Sequence, residues 1–216
     1  MNQTKRLAES AMLIAIAIVL EVVSKLFIPN MPFGGQITIA SMLPVILISY
    51  RYGMRWGFVS AFAYSFIEIL FGIKNVSAAF LPGYFGDDAA ILNAIIMCLC
   101  DYVFAFTALG LGGLFRNRIA AKGPALALGS VVALSVRYFF HIVSGYVLFR
   151  EYAVSYFTQE GFPVWGVQLV EALSPELLGF LYSAVYNATF MLPEILITAL
   201  CSLALAKIPG LVTKVR

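Results

Sequence analysis

One stretch of this chain places acid–base chemistry among apolar side chains: Arg137-Tyr138-Phe139-Phe140-His141-Ile142-Val143-Ser144-Gly145. His141 is the only histidine in the protein. It lies one helical turn from Arg137, and Asp101 and Asn187 interrupt other apolar runs at similar depth. A charged side chain inside a bilayer costs roughly 2.5–3.5 kcal/mol on insertion scales. A chain that keeps several such groups has a polar cavity to line. Arg137, His141, Gly145 and Phe149 are spaced by four and share a helical face. Gly145 then leaves room beside His141. In the last apolar run, Tyr182 and Asn187 are five apart and flank a site, with Tyr186 between them. A carboxylate, an imidazole, an amide and several rings suit a flat, partly cationic ligand. Rings attract a cation by roughly 0.5–2 kcal/mol each. A carboxylate accepts from an exocyclic amine and an adjacent ring nitrogen together.

Each group also has a plain structural use. His141 also fits a satisfied core histidine, Asp101 a partner for Arg137, and Asn187 interhelical glue. Ser144, three residues from His141, is a poor triad member on its own. For Arg137 a better partner is Glu194, level with it when both are counted from the ends of their runs. The expectation is a buried, structural Arg137–Glu194 pair. Asp101 is then left without a cation of its own, which favours a cationic or amine-bearing ligand. Glu21 and Glu68 also fall near mid-depth and have no assigned partner.

The elements that must hold these groups follow from composition. The chain has 216 residues, 62% hydrophobic and 12% charged, with mean hydropathy +0.93. A soluble domain is nearer half apolar and a quarter charged. This composition predicts an all-α integral membrane protein forming one domain over 1–216, with no separate soluble part. A span needs about 20 apolar residues, and six candidates occur, at about 7–28, 37–51, 54–72, 89–115, 124–149 and 177–206. The first mimics a signal peptide, but Glu21 interrupts it and no small-x-small cleavage site follows. By rise per residue, Asp101 lies roughly 18 Å and His141 roughly 12 Å below the outer surface. The outer halves of spans four, five and six thus overlap in height.

Ten of the fourteen Lys and Arg residues cluster where Lys5 and Arg6, Arg51 and Arg55, Arg116 to Lys122, and Lys207 to Arg216 fall. With six spans these share one side, so both termini are expected in the cytoplasm. The net charge of +3 needs no nucleic-acid partner. The other side holds Asp87, Asp88, Glu151, Glu160, Glu171 and Glu176. Its segment at about 150–176, rich in aromatics, reads as an interfacial belt or a lid. Cys98, Cys100 and Cys201 match neither a redox pair nor a zinc site and read as packing residues. No P-loop, zinc-protease or hydrolase-elbow motif is present. Gly110-Leu111-Gly112-Gly113 reads as a close-packing helix end. Ala11 and Ala15 set small residues four apart on the first span, a spacing that lets another helix approach.

Taken together, these motifs resemble a known family. They are Gly34-Gly35 leading to Ser41-Met42-Leu43-Pro44 and Tyr50-Arg51-Tyr52-Gly53; Asp101-Tyr102 with Ala105-Phe106; the His141 segment with Ser144-Gly145; and Tyr182-Ser183 through Tyr186-Asn187 to Met191-Leu192-Pro193-Glu194. The chain is similar, over nearly its whole length, to the thiamine-specific substrate-binding component of energy-coupling factor transporters of prokaryotic cell membranes. The resemblance implies six helices and a thiamine pocket near the extracellular face. It places the aminopyrimidine on Asp101, with further contacts from Tyr102, His141, Gly145, Tyr182 and Asn187. Phe149 stands where some members carry tryptophan. It also implies docking through Ala11 and Ala15 on a transmembrane coupling subunit, and two ATPase subunits that supply energy. Neither a cofactor nor a metal is implied, and the chain alone is not an enzyme. Three rivals follow from the residues: a component for another vitamin or a thiamine precursor such as hydroxymethylpyrimidine, an intramembrane enzyme using His141 and Asp101, and a self-sufficient ion-coupled carrier.

Overall fold

The computed structural model describes residues 3–29, 35–86 and 90–214. Gly34, Asp87, Asp88 and Arg216, invoked above, lie outside the described residues. Among those described, the regular structure is all helical, without strands. Helix α1 (Gln3–Phe27) turns Ser10, Ala17, Glu21 and Ser24 inward, while Leu7, Met12, Ile16 and Val19 face out. Small and polar residues inside with large apolar residues outside is the pattern of a helix whose outer solvent is lipid. Ala11 and Ala15 lie on the exposed face.

The expected second span takes another form. Residues 35–42 are irregular, and only α2 (Leu43–Tyr52) is helical, started by Pro44. Ten residues reach about 15 Å, half the hydrocarbon thickness of about 30 Å. Protein surrounds this short helix, and its residues Leu43 through Tyr50 are all buried. Irregular backbone at membrane depth is stable when protein covers it and supplies its hydrogen bonds. Here Glu194 accepts from Thr38 N and from Thr38 Oγ1, both at 2.7 Å. Ser41 Oγ donates to Glu21 at 3.1 Å, and Ile39 N donates to Ser24 Oγ at 2.8 Å.

Gly53, at φ +92°, provides the left-handed turn into α3 (Met54–Phe71). The chain then bends by 76° into α4 (Ile73–Ala79). The fourth apolar run is composite: α5 (Ala90–Met97), a π-helical stretch Cys98–Phe104, the single turn α6 (Ala105–Thr107), and a 3-10 stretch Ala108–Gly113. The last of these carries the glycine cluster, which packs against α2: Gly113 N donates to Ser49 Oγ at 2.9 Å. Helix α7 (Lys122–Phe149) and helix α10 (Pro175–Leu205) form the main antiparallel pair. They are joined by Ser130–Ser202 at 2.9 Å and by Tyr138 OH donating to Ala184 O at 2.7 Å. The 150–176 segment folds as a short 3-10 turn, α8 (Ala153–Thr158) and α9 (Trp165–Ala172). Phe157 anchors it on the outer end of α10 beside Leu178 and Tyr182. Among the described residues, four helices or composite helices are long and apolar enough to cross a membrane, and the bent α3–α4 pair makes five.

Candidate functional site

At the end of the bundle away from the basic clusters lies a cavity of about 1010 Å³. It is walled by the ends of α1, α3 and α7, the starts of α5 and α10, and the π-helical stretch. The eight residues picked out from the sequence (Asp101, Tyr102, His141, Gly145, Phe149, Tyr182, Tyr186 and Asn187) all line it.

Asp101 and Tyr102 sit on the π-helical stretch. A wider helical turn rotates successive side chains relative to an α-helix, and such bulges recur at functional sites. Tyr102 reaches across to Gly72 at the α3–α4 bend, where a Cβ would run into its phenol. The glycine is required there for close approach.

Asp101 is engaged by the neighbouring helix. His141 Nδ1 lies 2.9 Å from Asp101 Oδ1, and Ser144 Oγ donates to Oδ2 at 2.7 Å. An ionised carboxylate only accepts, so Nδ1 carries the proton in this bond. In the neutral ring Nε2 is then an acceptor. It is buried and has no partner among the described residues. The wall thus offers a fixed carboxylate and an imidazole acceptor side by side, suited to a ligand rich in N–H donors. Ser144, set aside in the sequence reading for want of a triad, belongs to this site as a donor to Asp101. The expectation that Asp101 has no cation of its own is compatible with these partners, a neutral ring and a hydroxyl.

Asn187 holds the outer halves of α7 and α10 together through Nδ2, which donates to Ser183 O at 2.8 Å and to His141 O at 3.2 Å. The amide therefore acts as interhelical glue at the cavity wall. Gly145 lines the cavity as well, but the space its missing side chain leaves is taken largely by Ser183 Oγ. Its main effect is close helix contact rather than room for a ligand. Tyr156 of α8 packs edge-on against Tyr182, with centroids 5.2 Å apart, and lies 6.1 Å from Tyr186. The 150–176 segment thereby buttresses the aromatic wall from outside. At the rim, burial raises the Tyr84 phenol above its ordinary value, and Tyr152 adds to this, so the hydroxyl stays neutral.

The Arg137–Glu194 pair does not form. Glu194 is taken by Thr38, as described, and Arg137 stacks over the Phe106 ring at 4.3 Å with its guanidinium against the Met42 sulfur. Counting rise along two helices fixes height but not azimuth, and the 35–42 segment occupies the space beside Glu194. The sequence reading also gave no role to Glu21, Glu68, Lys25 or Met42, all of which line the cavity. For Glu21 and Glu68, a charge at mid-depth was the available signal.

The solved structure of ThiT from Listeria monocytogenes superposes with a TM-score of 0.62 at 20% identity, covering 98% of both chains, and shows that the fold is shared. The curated Thiamine transporter ThiT of Bacillus subtilis (strain 168) is 30% identical over 212 residues, 93% of this chain and 91% of the relative. The sequence profile of the family described as Thiamine transporter protein (Thia_YuaJ) matches residues 7–211. By that match and that identity, the chain belongs to the thiamine transporter protein family.

Proposed function

We propose that the chain captures thiamine in this cavity as the substrate-binding subunit of an ATP-driven importer. The observation that carries this is the Asp101–His141 pair on the wall of a single aromatic-lined hollow, in a member of a thiamine transporter family. Asp101 accepts from the exocyclic amine of the aminopyrimidine, and His141 Nε2 accepts a further hydrogen. Tyr102, Phe149, Tyr182 and Tyr186 pack on the rings, with Gly145 and Asn187 fixing the approach of α7 to α10. Family members are transporters, and nothing in this site calls for turnover.

The basic clusters, so far as described (Lys5, Arg6, Arg51, Arg55, Arg116, Arg118, Lys122, Lys207 and Lys214), lie at the bundle end opposite the cavity, which supports cytoplasmic termini and an outward-lying site. In this reading residues 1–216 form one six-helix unit, with buried α2 as its second helix. Ala11 and Ala15 on the exposed face of α1 meet a transmembrane coupling subunit, and two ATPase subunits drive the cycle. Isothermal titration calorimetry of the detergent-purified protein with thiamine and with its pyrimidine half tests the reading. Saturable, tighter binding of thiamine is expected. Equal affinity for the two would argue against a site for the second ring.

A further inference from the structure

The 150–176 cap has an outer face that the proposed function leaves unused. Its inner side is packed: Phe157, Leu169, Val170 and Leu173 lie against Leu178 and Tyr182, and Tyr156 supports the aromatic wall. Helices α8 and α9 form a tight hairpin. At Gly166 a side chain would run into the Phe157 carbonyl and the Phe162 ring, and Phe162 packs edge-on against Trp165 with centroids 5.0 Å apart. The opposite side of this hairpin ends in an apolar tip at the start of α9. Val164 is 79% exposed, Trp165 47% and Val167 46%, and none of the three lines the cavity. An exposed apolar patch on an otherwise packed element marks a contact with a membrane or a partner.

We infer that the Val164–Val167 end of α9 is inserted in the bilayer leaflet at the cavity end, so that the cap is held between lipid and the aromatic wall. The level of the cap supports lipid as the occupant. On α10, Leu177 and Phe180 are half-exposed within the first two turns and lie outside the cavity lining, so hydrocarbon reaches close to the outer end of that span. Helix α9 ends at Ala172 and α10 starts at Pro175, a separation of at most about 11 Å of extended chain. The cap therefore lies at the membrane surface, continuous with the lipid-facing side of α10. Residues 151–176 hold four acids and no lysine or arginine, so the attraction is apolar burial rather than charge on anionic headgroups. Trp165 suits this place, because an indole settles at headgroup level, and such a tip sinks about 5–10 Å into the headgroup–acyl boundary. The contact is independent of which ligand the cavity takes. Its effect on the site is to keep Tyr156 against Tyr182 and Tyr186 from outside.

The chain has two tryptophans, and the other, Trp56, lies at the basic end against Arg6 and Ser10. Trp56→Phe therefore leaves Trp165 as the sole indole. The full chain is reconstituted in phosphatidylcholine vesicles whose acyl chains carry bromine near the glycerol end or near the methyl end, with iodide on both sides as the aqueous quencher. The largest loss of emission is expected with the shallow bromines and little loss with iodide. Adding Val164→Glu and Val167→Glu should abolish the lipid quenching and open Trp165 to iodide. Quenching by iodide without quenching by lipid in the parent overturns the inference. So does an indole shielded from both, because protein, such as a second copy of the chain, then covers the face. Lipid quenching that survives both glutamates overturns it as well. If Trp56→Phe does not fold, a nitroxide on Val164→Cys, with Cys98, Cys100 and Cys201 replaced, gives the second measurement. Its collisions with oxygen should exceed those with a water-soluble nickel chelate, and the opposite ratio overturns the inference.

Discussion

Asp101 is held by two donors on one neighbouring helix, His141 and Ser144, so its charge is aimed rather than free. Replacing it with asparagine keeps the shape but removes a charge-assisted bond, worth roughly 1.5–3 kcal/mol. Asp101→Asn should therefore weaken thiamine binding by about 10–150-fold while the circular dichroism of the purified protein is unchanged. Unaltered affinity would remove the carboxylate from the site. Arg137 calls for the opposite outcome. It is 8% exposed and offsets the inner acids from its place over Phe106. Its removal leaves those charges uncompensated, which costs about 3–5 kcal/mol for a buried partner. Arg137→Ala should lower the yield of folded, monodisperse protein in detergent; a well-folded variant with only binding lost would contradict this. Asp101, His141 and Asn187 were legible in the sequence because polar residues are rare and expensive in apolar runs. Glu68 stood out at mid-depth without a role, while Ser144 and the true partners of Arg137 were not legible. A hydroxyl costs little in a helix, and an ion pair depends on azimuth and on which loop intervenes.

Helices bring these groups together through two kinds of close contact, and glycines separate them. At Gly129 an added methyl would run into the backbone carbonyl of Gly112, at the crossing of α7 and the 3-10 stretch. At Gly72 it would meet the Tyr102 phenol at the cavity wall. Backbone yields less than a side-chain tip, so Gly129→Ala should cost stability, by about 1–3 kcal/mol as overpacking does. It should lower the thermal midpoint in detergent and leave the affinity of the remaining folded protein near wild type. Gly72→Ala should do the reverse, shifting Tyr102 and weakening thiamine with a smaller change in midpoint. A matching pattern for both variants would deny that Gly72 belongs to the site. The sequence reading found six apolar runs, and each contains a helix in the structure. It missed the π-helical turn under Asp101 and the irregular 35–42 segment. Both arise where tertiary hydrogen bonds override local periodicity: Thr38 and Ser41 bond to Glu194 and Glu21 instead of extending a helix.

For the whole molecule, the decisive asymmetry is between its two ends. One end carries the basic clusters, where Arg51 binds both Glu9 of α1, at 2.8 Å, and Leu211 O near the C-terminus, at 2.6 Å. The start of α1, the α2–α3 turn and the C-terminal segment are thereby tied into one rigid base. The other end holds the cavity, the α4 bend and the 150–176 cap, and is richer in acids. Lysine and arginine are retained on the cytoplasmic side during insertion, so the base should lie inside and the cavity mouth outside. An importer's capture subunit requires this orientation, because a site facing the cytoplasm would meet the vitamin only after uptake. Two exposed positions report on it: Ser77 on α4 at the cavity end, and Asn117 in the basic turn before α7. In a background with Cys98, Cys100 and Cys201 replaced, Ser77→Cys should react with a membrane-impermeant maleimide on intact cells. Asn117→Cys should react only after the membrane is opened. The reverse labelling would invert the topology and leave the cavity on the wrong side for capture.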